Sequence, residues 1–185
     1  MGAVYMSDYS SIFQLVSDLM RKEKGSCILI GGFAVNFYKV SRATADIDFL
    51  ITKKDFDKIS SHLTRAGFKE LSGHENFAHF QSPGTGMAGL DFMFVDQATF
   101  EKIKQKGQKF KVGKNEFVVP SLNHLIALKL HSMKFNLKDR LAKDFPDIIG
   151  LIRTNKLNIH DNDFRELCLK YGSEEIYQRI MEVLT

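Results

Sequence analysis

The stretch CILIGGFAVNFYKVSRATADIDFL, Cys27 to Leu50, carries the pattern on which the fold turns. Cys27 to Ile30 is a short apolar run that stops at Gly31-Gly32, after which Phe33, Ala34, Phe37 and Tyr38 recur at helical spacing. This order predicts a strand, a tight turn and the start of a helix. Glycine lets a backbone approach an anion closely, and the unpaired N–H groups of a helix N-terminus point outward at the positive end of its dipole. Gly31 and Gly32 are therefore candidates for phosphate contact. Downstream, Asp46-Ile47-Asp48 leads into Phe49-Leu50-Ile51. Strand side chains alternate, which puts Asp46 and Asp48 on one face and Ile47 and Phe49 on the other. Two adjacent carboxylates repel each other unless a cation lies between them. Hard oxygen donors suit Mg²⁺, which keeps water and phosphate oxygens as its other ligands.

Taken singly these motifs are weak, since most glycine pairs are turns and an Asp-x-Asp also fits a solvated strand edge. Their combination is narrower. Arg42 and Thr44 stand just before the acids, and a further aspartate, Asp91, lies in the strand-like run Leu90-Asp91-Phe92-Met93-Phe94-Val95. A third acid on a neighbouring strand completes a metal triad. Farther on, Leu122, Leu125, Ile126, Leu130 and Met133 follow core-facing helical spacing from Ser121, and Lys129 falls in the same stripe. A lysine there needs an anionic partner, either a protein carboxylate or a ligand phosphate. Arg140, Asp144 and Asp147 share a face if the next segment is continuous helix, with Pro146 the place where it would break or restart. Lys129 paired with Asp144 or Asp147 and Lys129 on phosphate are compatible readings.

These residues together resemble the nucleotidyltransferase superfamily, and specifically its AbiEii/AbiGii-type toxin nucleotidyltransferases. Gly31-Gly32 followed by Arg42-x-Thr44-x-Asp46-x-Asp48 is similar to the family's first motif, Asp91 between apolar residues to its second carboxylate strand. Leu125 to Lys129 with Arg140, Lys143-Asp144 and Asp147 is similar to its C-terminal helical motifs. The resemblance implies Mg²⁺-dependent transfer of a nucleoside monophosphate from an NTP, with Mn²⁺ as an alternative ion. The acceptor it implies is a hydroxyl, on tRNA or another RNA or on a small molecule, and an antitoxin protein is an implied partner. In this reading Asp46 and Asp48 hold metal, and Asp91 shares it and takes the acceptor's proton. Gly31, Gly32, Thr44, Arg42 and Lys129 serve the triphosphate, with Asp144 or Asp147 positioning the lysine. The competing reading is a catalytically inactive module of the same fold that binds nucleotide, RNA or a protein partner.

Length and composition set the frame. With 185 residues and 44% hydrophobic content the chain can bury one core with a small appended bundle. We expect an α/β (α+β) fold: a small mixed sheet bearing the carboxylates over 1–120, flanked by helices, and a C-terminal helical part over 121–185 in one compact unit that closes a nucleotide cleft. No run is apolar and long enough for a bilayer, and Met1 to Ser10 is polar, unlike a signal peptide, so a cytoplasmic protein is expected. Cys27 and Cys168 are too few for a disulfide framework and read as packing residues.

The net charge of +4 suits a protein that handles phosphates without naming the acceptor. The lysine-rich run Lys102 to Lys114 reads as a solvated face or an RNA contact. None of the six histidines falls into a zinc spacing, and His124 and His131 read as packing or solvent residues. No serine has the context of a nucleophile elbow. Periodicity predicts helices over Tyr9–Lys22 and Lys54–Ala66. It also predicts antiparallel strands over Asn76–Gln81 and Gly89–Val95 around Pro83-Gly84-Thr85-Gly86, and a smaller hairpin over Lys109–Val112 and Glu116–Val119.

Overall fold

A computed structural model describes Met6, residues 9–84 and residues 86–185. Thr85 of the expected turn and residues 1–5, 7 and 8 of the N-terminal stretch lie outside the described residues. The elements, in chain order, are α1 (Ile12–Lys22), β1 (Cys27–Leu29), α2 (Gly31–Phe37), β2 (Asp46–Thr52), α3 (Lys53–Arg65), β3 (Lys69–His74), β4 (Phe77–Gln81), β5 (Gly89–Val95), α4 (Gln97–Gln105), β6 (Gln108–Val112), β7 (Asn115–Val119), α5 (Leu122–Phe135), α6 (Leu137–Thr154), α7 (Asn162–Tyr171) and α8 (Glu174–Leu184). By internal contacts they group into two units, residues 1–33 with 43–120, and residues 34–42 with 121–185. Among the described residues no helix is long and apolar enough to cross a membrane.

The first unit is built on a seven-stranded mixed sheet of order β3-β4-β5-β2-β1-β7-β6. Its central pair, β2 and β5, runs parallel in the register Ile47↔Leu90, Asp48↔Asp91, Phe49↔Phe92. That register sorts the two faces. Phe49 stacks on Phe92 with centroids 5.8 Å apart, and Phe56 of α3 meets Phe92 at 5.3 Å and Phe94 at 4.8 Å. Phe49, Phe80, Phe92 and Phe100 are all fully buried. Each such ring contributes roughly 1.5–3 kcal/mol of burial, so a one-residue slip of β2, which would put Asp48 where Phe49 lies, is strongly disfavoured. The apolar face thereby pins the opposite, acid-bearing face.

The helices begin where side-chain oxygens cap them. Ser11 accepts from Gln14 N–H, so α1 starts at Ile12 and not at Tyr9 as periodicity alone predicts. Thr52, the last residue of β2, accepts from Asp55 N–H and turns the chain directly into α3. Two elements have no counterpart in the sequence reading. Strand β3 is exposed along its whole length, so it shows no apolar alternation. Helix α4 is a short amphipathic turn capped by Asp96, whose neighbouring lysines dominate the local pattern. Burial pushes the Cys27 and Cys168 thiols up to about 12, in Cys27 with help from the Asp55 charge, which keeps both protonated as packing groups.

The second unit is helical. Its segment 34–42 is held by α6: Val40 occupies the space a side chain at Gly150 would need, and Asn155 donates to the Tyr38 carbonyl at 3.2 Å. Helix α6 continues through Pro146, which interrupts neither the helix nor the shared face of its acids. Lys129 of α5 lies in the buried stripe, 7% exposed, and its ammonium reaches Asp144 at 2.9 Å and Asp147 at 2.7 Å. Both carboxylates are buried, 4% exposed, so the three side chains satisfy one another.

Two outcomes follow for stability. Gly31 has φ +59°, and a Cβ there would lie 2.8 Å from Asp48 Cβ, a contact that swinging the carboxylate away does not relieve. Gly31→Ala should therefore cost more than the roughly 1–2 kcal/mol of a left-handed backbone, lowering the melting temperature by at least about 2–4 °C. Lys129→Met removes the cation shared by two buried carboxylates, of which Asp147 keeps Arg42 at 3.0 Å, and should cost about 3–5 kcal/mol in denaturant unfolding. A loss below about 1 kcal/mol would place the pair with ordinary surface ion pairs.

Candidate active site

The carboxylates are set by the sheet. Asp48 and Asp91 are register partners on adjacent parallel strands, about 4.8 Å apart in the backbone direction that joins strands. Asp46 precedes Asp48 by one alternation and is paired with Gly89, so all three acids lie on the face opposite Phe49 and Phe92. Gly89 leaves room there, since a Cβ would come 2.7 Å from Asp46 Oδ1 and 3.0 Å from the Phe80 carbonyl. Its N–H instead donates to Asp46 Oδ1 at 3.2 Å.

The glycine pair is built against the same acids. A Cβ on Gly31 would fall 1.9 Å from Asp48 Oδ2, and one on Gly32 would fall 2.6 Å from Thr44 Cβ. Sequence reasoning assigns these glycines to phosphate; the role the geometry shows is steric, since only glycine admits Asp48 and Thr44 so closely. Thr44 Oγ1 donates to the Asp46 carbonyl at 2.9 Å, tying the turn before β2 to its first acid. Ile30 N–H donates to the Asp48 carbonyl at 2.9 Å, holding the glycine turn beside the second.

The sequence reading missed His79. It lies on β4 as the register partner of Asp91, and its Nδ1–H donates to Asp91 Oδ1. The signal was the hairpin itself, but which residue faces Asp91 depends on a register that a long glycine-containing loop does not specify. His79 also lines an open cavity of about 410 Å³ with Asp46, Leu71, Gln81, Met87 and Gly89. Leu71 is 50% exposed and Met87 38%, so the cavity offers apolar surface next to the acids.

Hard carboxylate oxygens on neighbouring strands are the donor set a Mg²⁺ ion takes. Among the described residues, however, no three of His, Cys, Asp or Glu stand together as a ligand cage. Asp46 Oδ1 accepts from Gly89 N–H and Asp91 Oδ1 lies against His79 Nδ1, on a backbone whose register already sets the three acids on one face.

The remaining sequence candidates belong to the helical unit. Arg42 Nε meets Asp147 at 3.0 Å, and the Arg42 backbone is clasped by Asn36, whose Oδ1 accepts from Arg42 N–H at 2.8 Å and whose Nδ2 donates to Arg42 O at 2.9 Å. Asp147 thus serves both Arg42 and Lys129, while Arg140 approaches Asp144 only at 3.9 Å. The structure brings Arg42, Lys129, Asp144 and Asp147 into one ion cluster.

Among curated proteins none matches this chain. In fold it is similar to an antigenic nucleotidyltransferase-like protein from Paracoccidioides brasiliensis, with a TM-score of 0.54 at 14% identity over 89% of this chain and 85% of that one. The antibiotic-resistance factor ANT(2'')-Ia gives a TM-score of 0.54 at 12% identity over 90% and 85%. A lincosamide antibiotic adenylyltransferase with lincomycin bound gives 0.52 at 17% identity over 74% and 92%. At these identities the likeness establishes the fold, the mixed-sheet nucleotidyltransferase architecture expected from the sequence. The family model described as "Nucleotidyl transferase AbiEii toxin, Type IV TA system" matches residues 15–180, nearly the whole chain. On that match, with the acid-bearing strands and glycine turn in place, the chain belongs to the AbiEii nucleotidyl transferase toxin family.

Proposed function

We propose that this protein moves a nucleoside monophosphate from an NTP to an acceptor hydroxyl, acting as the toxin of a toxin–antitoxin pair in the cytoplasm. The observation that carries the reading is the alignment of Asp46, Asp48 and Asp91 on one face of two parallel strands beside a glycine turn with room for nothing larger. Asp46 and Asp48 are the residues that would hold Mg²⁺, or Mn²⁺ in its place, with Asp91 as a shared ligand. When bound, such an ion neutralises triphosphate charge and lowers the cost of placing an oxygen nucleophile next to it.

The chain's own groups do the rest. Gly31 and Gly32 present backbone N–H groups to the outer phosphates. Thr44 steadies the backbone at Asp46, and Arg42, clasped by Asn36 and Asp147, supplies positive charge for the triphosphate. Lys129, Asp144 and Asp147 contribute by fixing one another and, through Asp147, Arg42. Asp91 accepts the proton of the acceptor hydroxyl, and pyrophosphate leaves. The cavity beside Asp46 and His79 is the natural seat for the acceptor's body. The acceptor hydroxyl belongs to a tRNA or another RNA, or to a small molecule, and the net charge of +4 fits the phosphates of the donor in either case.

Incubation with each α-labelled NTP, Mg²⁺ and total RNA or lysate should give label covalently attached to acceptor. Attachment to RNA or to a small molecule identifies the acceptor class, and binding without incorporation of any nucleotide would favour the inactive binding module. Asp91→Asn should lower transfer by about 10²–10⁴-fold, the usual contribution of a general base, while calorimetry shows NTP affinity largely kept. The double change Asp46→Asn with Asp48→Asn should abolish Mg²⁺-dependent NTP binding in the same calorimeter. Full transfer by Asp91→Asn would remove it from the chemistry.

A further inference from the structure

The row of side chains across three strands points beyond the acids. Asp48 on β2, Asp91 on β5 and His79 on β4 are successive register partners, so their side chains emerge side by side on the same face. An ionised carboxylate has no hydrogen to give, so in the contact between His79 Nδ1 and Asp91 Oδ1 the ring nitrogen carries it. This pair is not a stability device. The side chains of His79 and Asp91 are 32% and 39% exposed, and ion pairs so open to water contribute about 0–1 kcal/mol. What a directed N–H···O bond does supply at that exposure is orientation: one carboxylate oxygen is engaged and the plane of the group is set.

We propose that His79 is a positioning residue for Asp91, holding one carboxylate oxygen through Nδ1–H so that the other is presented to the divalent cation shared with Asp48 and to the incoming hydroxyl. This rests on the metal-holding role given to Asp91 above. Hydrogen-bonded partners of ligating groups fix the geometry in which a metal is met, and their loss typically costs about 10–100-fold in metal affinity. His79 also lines the cavity that reaches Asp46, so one ring touches both the oriented carboxylate and the space proposed for the acceptor.

The test is Mn²⁺ affinity, measured by electron paramagnetic resonance and calorimetry on the full chain without NTP, alongside thermal denaturation. His79→Leu removes the donor and keeps bulk. His79→Asn keeps an N–H close to the position of Nδ1, and His79→Gln moves it outward toward that of Nε2. His79→Leu and His79→Gln should weaken Mn²⁺ by about 10–100-fold with little change in melting, and His79→Asn should recover most of the affinity. Unchanged affinity in His79→Leu, or in His79→Gln if the leucine variant does not fold, overturns the proposal, as does an asparagine variant no better than leucine. Asp91→Asn in the same titration separates the two readings. If it weakens Mn²⁺ while His79→Leu does not, only the positioning role falls. If it leaves Mn²⁺ binding intact, the metal-holding role of Asp91 falls and the proposal falls with it.

Discussion

Two like charges in register on adjacent strands are the constraint around which the sheet unit is organised. Asp48 and Asp91 are direct partners in the parallel pair β2–β5, with Asp46 one alternation away on the same face. Carboxylates so placed repel, and water, hydrogen-bond donors or a cation must offset that repulsion. Gly89 N–H serves Asp46, and the His79 ring serves Asp91. The opposite face supplies the force that keeps the arrangement from sliding apart, because the buried rings of Phe49, Phe80 and Phe92 fill their places only in this register. Electrostatic cost on one face is thus held in place by hydrophobic burial on the other.

The glycines and the small polar residues follow from the same constraint. Gly31, Gly32 and Gly89 each stand where a Cβ would overlap Asp48, Thr44 or Asp46. A motif read as a phosphate-binding turn is, in the structure, a steric requirement of the acids.

The helical unit handles charge differently. Lys129, Asp144 and Asp147 are buried and mutually satisfied, and Asp147 also holds Arg42. Buried ion clusters of this kind contribute less net stability than their geometry suggests, because desolvation offsets most of the attraction. Removing one member is nevertheless costly. Such a cluster suits the fixing of a cation in one orientation, and Arg42 is the member closest in sequence to Thr44 and Asp46.

The amino-acid sequence by itself determined the family, the acid strands, the glycine turn and the need of Lys129 for an anion, while the structure supplied the acids of α6 as its partners. Each of these is written in local order: alternation around Asp46 and Asp48, an apolar run ending at Gly31, a lysine in a helical stripe. It missed β3, whose full exposure erases alternation, and it did not anticipate α4 behind its lysines. Nor did it resolve whether Pro146 ends a helix, which depends on the surroundings of α6 and not on the proline alone. The contacts of His79 with Asp91 and of Gly89 with Asp46 emerge only in the tertiary structure. Their roles depend on which residue faces Asp91 and Asp46 across a strand boundary, and that register is decided by the packing of aromatic rings far apart in the chain.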